Sequence, residues 1–195
     1  MRYLILLFPQ VLNHEVIRAD LFRYYGKIDS QSFRRALNIP GFEFTLYFRL
    51  CSLYSKYSLI GAQARWMNTR LTFKYGFQIP RITKIGKGLR ISHFGPLVVN
   101  YHSVIGDNCY LSHNVTIGQM SNGPREGCPQ IGERVWIGPG AIIVGKVVIG
   151  DDVLISGNTF VNFDVPSKSL VIGNPGKIFN RENATSGYIT NVYSG

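Results

Sequence analysis

Between Ile79 and Ile178 an aliphatic residue returns at every sixth position, usually with Gly, Ser or Asn directly behind it. In sixes the chain reads IPRITK, IGKGLR, ISHFGP, then slips by two residues before Val99 and continues VNYHSV, IGDNCY, LSHNVT, IGQ. After an interruption it resumes as IGERVW, IGPGAI, IVGKVV, IGDDVL, ISGNTF, VNFDVP. Neither the two-residue alternation of a strand nor the 3.6-residue period of a helix produces this pattern. A period of six puts one inward aliphatic on a short flat face and a corner after it. Three faces close a triangular prism of about 18 residues per coil, each coil hydrogen-bonded to the next about 4.8 Å away. Gly, Asn and Asp recur where corners need left-handed or crowded backbone. The pattern predicts a parallel β-helix over residues 78–179.

Residues 1–77 carry helical patterning. Asn13 to Tyr25 predicts a helix capped by Asn13 and ended by Gly26. Asp29 or Ser30 caps a second, SQSFRRALN, which stops before Pro40. From Gly41 to Tyr75 the apolar spacing fits one long amphipathic helix, or two broken near Gly61, closed by Gly76. The segment 119–130, QMSNGPREGCPQ, cannot continue the repeat and is expected to project as a loop. The tail 180–195 is polar and carries no motif.

Charge adds a second feature. The net charge of +10 is uneven: no acidic residue falls between Glu43 and Asp107, while Arg49, Lys56, Arg65, Arg70, Lys74, Arg81, Lys84, Lys87 and Arg90 do, interleaved with aromatics. Such a stretch suits an acidic polysaccharide or the anionic inner leaflet of a membrane; equally, its cations can solvate the outer side of a buried helical pair. No recognition motif accompanies the charge, so nucleic acid is not expected. YLILLF near the amino end is too short to span a bilayer, is halted by Pro9 and lacks a signal-peptide cleavage site, so it is read as folded or interfacial. Three cysteines, Cys51, Cys109 and Cys128, suit reduced thiols and a cytoplasmic location.

The candidate chemistry sits in the coil. His93 and His113 are each the third residue of a block, and their 20-residue separation equals one coil plus the slip. They are expected at one angular position on adjacent coils, beside the interruption. A neutral imidazole is suited to taking a proton from an alcohol. There is no G-x-S-x-G elbow and no P-loop, so those routes to hydrolysis are not indicated.

Three segments carry a family resemblance. ISHFGPLVVNYHSVIG, from Ile91 to Gly106, resembles without a gap the serine acetyltransferase stretch I-D-H-x-T-G-x-V-I-G-E-T-A-V-I-G. LSHNVTIG followed by a loop and GCPQIG is more similar to the colanic acid and capsule O-acetyltransferases of the same hexapeptide-repeat superfamily. VPSKSLVIGNPGKI resembles the superfamily's closing V-P-x-x-x-x-x-x-G-x-P-A-K-x-I, and RADLFRYYGK resembles serine-acetyltransferase-like chains. In the known hexapeptide proteins the β-helix is left-handed, against the usual crossover rule.

The resemblance implies an acetyl-CoA-dependent O-acetyltransferase, a homotrimer with clefts between neighbouring coils. His93 matches the general base, with backbone amides stabilising the oxyanion. The Asp that orients the base in the serine enzymes is Gln78 here, which leaves His113 room to share or take that role. The family's Asp before the base is Ser92, and its loop Arg-His-Pro reads Gly127-Cys128-Pro129. Losing those counter-charges points from serine toward a neutral sugar hydroxyl of surface-polysaccharide assembly, on an acceptor that a basic aromatic region suits if lipid-linked. Asn100, Tyr101, Ser92 and Cys128 are the expected acceptor contacts. Backbone at Gly140–Ala141 and Ser156–Gly157 is expected along the pantetheine arm, with Lys177 and Arg181 at the CoA phosphates and Trp136 facing the cleft or another subunit. His93, His102 and His113 lack the spacing of the zinc-binding hexapeptide carbonic anhydrases, so no metal is expected. Serine O-acetylation and a non-catalytic scaffold remain the alternatives.

Overall fold

The computed structural model describes residues 8–195; the YLILLF reading lies, but for Phe8, outside them. The chain opens with α1 (Phe8–Val11), α2 (Glu15–Tyr25), α3 (Ser30–Ala36), α4 (Pro40–Leu53) and α5 (Leu59–Tyr75). Gly26 closes α2 and Gly76 closes α5, both in the left-handed region. Asp29 caps α3 by accepting from the Ser32 N–H at 2.7 Å. Two expectations are corrected. The cap of α2 is His14, not Asn13, and its side chain makes no cap bond because Nε2 reaches the Tyr54 hydroxyl at 3.1 Å. The break in the long helical stretch falls at Tyr54–Ser58, where Ser58 Oγ accepts from the Gly61 N–H at 3.1 Å. Gly61 lies inside α5, and it is glycine because a Cβ there would stand 2.0 Å from the Ser55 carbonyl oxygen.

The repeats wind as a parallel β-helix of three faces. Face A stacks β1 (Phe77–Gln78), β4 (Leu97–Val99), β7 (Thr116–Gly118), β10 (Ile142–Val144) and β13 (Phe160–Val161). Face B stacks β2 (Lys84–Ile85), β5 (Val104–Ile105), β8 (Gln130–Ile131) and β11 (Val148–Ile149). Face C stacks β3 (Arg90–Ile91), β6 (Tyr110–Leu111), β9 (Trp136–Ile137), β12 (Val153–Ile155) and β14 (Ser169–Ile172), closed by the antiparallel β15 (Lys177–Asn180). The core column runs Ile91, Leu111, Ile137, Ile155, all fully buried, and their burial supplies the main stabilisation at about 2 kcal/mol each.

A β-helix leaves the backbone of its first coil unpaired, and buried polar backbone without a partner is costly. Here the helices supply the partners. Arg49 donates to the Ile85 and Gly86 carbonyls at 2.7 and 2.6 Å while pairing with Asp20 at 2.9 Å. Asp20 in turn accepts from the Leu89 N–H at 2.8 Å. Tyr24 Oη donates to the Ile91 carbonyl at 2.9 Å, and Arg23 Nε donates to the Gly88 carbonyl at 3.0 Å. Arg49 is thus not a solvating surface cation; it is buried as part of a side-chain lid on the coil. Burial pushes the Asp20 carboxyl above its ordinary range, and Arg49 pulls it back.

The tail is structured. Asp152 accepts from the Ala184 and Thr185 N–H groups at 3.1 and 3.0 Å, Tyr188 packs on Trp136, and Tyr193 exchanges backbone bonds with the Asn108 side chain at 2.9 and 3.1 Å. Arg23 also donates to the Thr190 carbonyl. The tail therefore runs back along face C from the last coil to α2.

Candidate active site

The register fixes which corners share an edge. Ile91 pairs with Leu111, Leu111 with Ile137, and Ile137 with Ile155. The next residues, Ser92, Ser112, Gly138 and Ser156, therefore line one edge of the prism, between faces C and A. One step further stand His93, His113, Pro139 and Gly157. The offset from Ile91 to Leu111 is 20 residues, whereas that from Val99 to Ile117 is 18, so the two extra residues are absorbed in the corner 92–96.

His93 and His113 meet on this edge, ring centroids 5.5 Å apart and planes at 90°. His93 is exposed and His113 half-buried. His113 Nδ1 is buried and has no hydrogen-bond partner among the described residues. Leaving a buried imidazole nitrogen without a partner carries a desolvation cost.

Above the histidines the same edge carries Gly140, Ala141, Ser156 and Gly157. The Gly140 N–H donates to the His113 carbonyl at 3.1 Å and the Ala141 N–H to the Gly138 carbonyl at 3.2 Å, so both amides are committed within the coil. The Ser156 N–H is likewise bonded, to the Val171 carbonyl at 2.9 Å, so the edge is a side-chain-poor track whose exposed residue is Gly157. Lys177 ends the track, since it opposes Ile172 at the face-C side of this edge. Arg181 does not join it: its N–H bonds to the Lys168 carbonyl at the opposite side of face C. Trp136 stands outward on face C between Tyr110 and Tyr188, at centroid distances of 5.7 and 4.9 Å, packed by the tail.

Gln78, Asn100 and Tyr101 are brought together elsewhere, in an open groove of about 680 Å³ between α5 and the outer side of face A. No hydrogen bond joins Gln78 to His93 among the described residues. The expected orienting contact is absent because Gln78 projects outward from β1 into this groove. Cys128 lies beside the same set: its thiol donates to Asn100 Oδ1 at 3.3 Å, and partial burial pushes the thiol's pKa up. The loop that carries Cys128 folds against the fourth coil, with Arg125 paired to Asp164 at 3.1 Å and its carbonyl accepting from the Lys146 N–H at 2.9 Å. Gly145 makes room for this, since a Cβ would sit 2.9 Å from the Arg125 carbonyl oxygen.

In one chain, then, Ser92, His93 and His113 occupy the edge before face A, while Asn100, Tyr101 and Cys128 occupy the edge after it. Sequence reasoning missed the α5 side of the groove: Asn68, Thr69 and Thr72 line it, and Asn68 Nδ2 is buried without a partner among the described residues. No local signal marks them, because only tertiary packing sets α5 against face A. The described residues contain no group of three His, Cys, Asp or Glu side chains able to hold a metal ion.

Stacked six-residue coils on three faces define a protein of the hexapeptide-repeat class. Residues 128–162 match the family described as bacterial transferase hexapeptide (six repeats). The chain is 32% identical over 143 residues to a serine acetyltransferase of Helicobacter pylori, covering 73% of this chain and 83% of that one. The serine acetyltransferase of Brucella abortus superposes with a TM-score of 0.70 at 29% identity, covering 87% of this chain and 70% of that chain; a further structure of it holds coenzyme A. The Neisseria gonorrhoeae serine acetyltransferase in complex with serine gives a TM-score of 0.68 at 26% identity, covering 91% and 72%. The chain belongs to the hexapeptide-repeat transferases, with serine acetyltransferases as its relatives, and it is an acetyl-CoA-dependent acyltransferase. The loop motif had pointed toward polysaccharide enzymes; these relatives carry the serine name.

Proposed function

We propose that this chain is an O-acetyltransferase that moves the acetyl group of acetyl-CoA to the hydroxyl of serine, the acceptor named for its relatives. The observation that carries the acyl-transfer chemistry is the His93–His113 pair at 5.5 Å on the edge that continues as a side-chain-poor track. Coils rise about 4.8 Å each, so the track from His93 to Lys177, five strand spacings on, is about 24 Å long and suits an extended pantetheine arm. A ring nitrogen of His93 takes the proton as the acceptor oxygen attacks the thioester carbonyl. The tetrahedral adduct then collapses, the C–S bond breaks, and the imidazolium returns the proton to the CoA thiolate. No acyl-enzyme forms. His113, edge-on to His93, fixes that ring or shares its role.

The acceptor side is completed by a second copy. The edge holding Asn100, Tyr101 and Cys128 is separated from the histidines within one chain, and a trimer sets the one edge of a subunit against the other edge of its neighbour.

A specific observation favours a second acceptor. The positions beside the base and in the loop are uncharged: Ser92, Gly127 and Cys128. Gln78, Asn100 and Tyr101 in the groove offer amides and a phenol, and its one charged lining residue among those described is Arg81. A zwitterion's ammonium therefore meets no carboxylate there, and a neutral sugar hydroxyl is the better fit. Release of thiol from acetyl-CoA by the purified protein, first with serine and then with neutral glycans, decides between them. Turnover on serine supports the first reading, and turnover on a glycan alone supports the second. No transfer to either acceptor, with no CoA binding, identifies a scaffold.

A further inference from the structure

Three exposed apolar side chains of the helical region fall in one line. Leu59, Trp66 and Phe73 are 90%, 56% and 83% exposed on α5, and their seven-residue spacing is two helical turns, which puts them on one meridian. Ile82, 73% exposed just beyond the helix, extends the row. The opposite side of α5, with Gly61, Ala64, Asn68 and Leu71, is the side buried in the fold. The row is therefore a surplus apolar face, not part of the core.

Its flanks are cationic. Arg70 lies over the Trp66 ring at 4.7 Å, Lys74 over Tyr75 at 4.6 Å and Lys56 over Tyr57 at 5.0 Å, with Arg81 beside Ile82. No acidic residue occurs between Glu43 and Asp107 to neutralise them, and Glu43 itself is occupied by the Tyr75 hydroxyl at 2.5 Å. Two copies meeting through this face would bring like charges together, which disfavours self-association. An apolar row with an interfacial Trp and a basic border matches the chemistry of an anionic bilayer surface.

We propose that α5 lies flat on an anionic membrane, with Leu59, Trp66 and Phe73 in the headgroup–acyl boundary and Lys56, Arg70, Lys74 and Arg81 against lipid phosphates. Phe73 and Ile82 also border the groove that holds Gln78, Asn100 and Tyr101, so docking brings the acceptor side of the shared cleft close to the bilayer surface. This placement holds whichever acceptor is acetylated.

The test is co-sedimentation of the full chain with phosphatidylcholine vesicles and with mixed phosphatidylglycerol–phosphatidylcholine vesicles. Binding to the mixed vesicles alone is expected, weakened by added salt. Leu59→Ser with Phe73→Ser should lower the partition coefficient at least about tenfold, and Arg70→Gln or Lys74→Gln about fivefold each. These side chains are exposed, so the variants keep the parent melting temperature. In a Trp136→Phe background, Trp66 fluorescence should shift to the blue on binding. The proposal is overturned by no binding to mixed vesicles, by equal binding to neutral ones, or by variants that bind as the parent does. Retention on an acidic polysaccharide without vesicle binding also overturns it, as does loss of an oligomer in the Leu59→Ser/Phe73→Ser variant without loss of vesicle binding.

Discussion

His93 and His113 stand edge-to-face, 5.5 Å between ring centroids, on neighbouring coils whose strands pair Ile91 with Leu111. The ordinary coil offset of 18 residues, seen from Val99 to Ile117, would place residue 111, not 113, beside His93. The two added residues in the corner 92–96 are what align the rings.

If His93 is the base, His93→Ala lowers kcat for acetyl transfer by about 10²–10⁴-fold while the melting temperature stays unchanged, because the ring is exposed. His113→Ala should cost less. Steady-state thiol release measures both, and full activity in His93→Ala with loss in His113→Ala reverses the two roles.

The trimer proposed above, with its cleft shared between copies, makes a subunit-mixing prediction. His93→Ala and Asn100→Ala homotrimers are each expected to be impaired, through the base and the acceptor contact respectively. Trimers assembled from both contain interfaces with one intact His93 and one intact Asn100, so mixing after co-refolding should restore part of the activity. No recovery places the complete site within one chain.

Asp20→Ala removes the carboxylate paired with a buried guanidinium, leaves Arg49 only its two carbonyl acceptors, and strips the Leu89 N–H of its acceptor. Breaking such a buried pair costs about 3–5 kcal/mol. Denaturant unfolding reads the loss as a lower midpoint with the slope retained. A change under about 1 kcal/mol would mean that the pair is not the lid on the first coil.

Gly61→Ala places a methyl 2.0 Å from the Ser55 carbonyl oxygen. Although alanine is the better helix former by about 1 kcal/mol, the close approach should reverse the sign and lower the melting temperature. A stabilised variant would show that the α4–α5 turn relaxes freely.

The β-helix was legible because its core is periodic: each coil repeats the same inward aliphatic, so Ile91, Leu111, Ile137 and Ile155 announce their stacking in the chain itself. The helix boundaries were legible only where a single residue decides them, as at Gly26 and Asp29. The turn between α4 and α5 was misplaced to Gly61 because a glycine that admits a carbonyl looks, in sequence, like a glycine that breaks a helix.

Of the site, the histidine pair followed from counting residues, whereas Gly140, Ser156 and Gly157 came with the family resemblance. Arg181 lies off their line and Trp136 packs under Tyr188, because both places depend on the tail. Ala184, Ile189 and Tyr193 become apolar anchors only against face C, where Asp152 and Asn108 bind the returning backbone.

By itself the sequence determined the coil, its register and the edge on which the histidines meet, since each is a local period counted along the chain. Tertiary structure alone decided that Arg49 and Asp20 seal the first coil, that Gln78 faces a groove with Asn100 instead of His93, and that Leu59, Trp66 and Phe73 are left outside the core. These depend on which side of a helix meets the β-helix. Hydrophobic periodicity marks apolar faces, but only packing chooses the one that is buried.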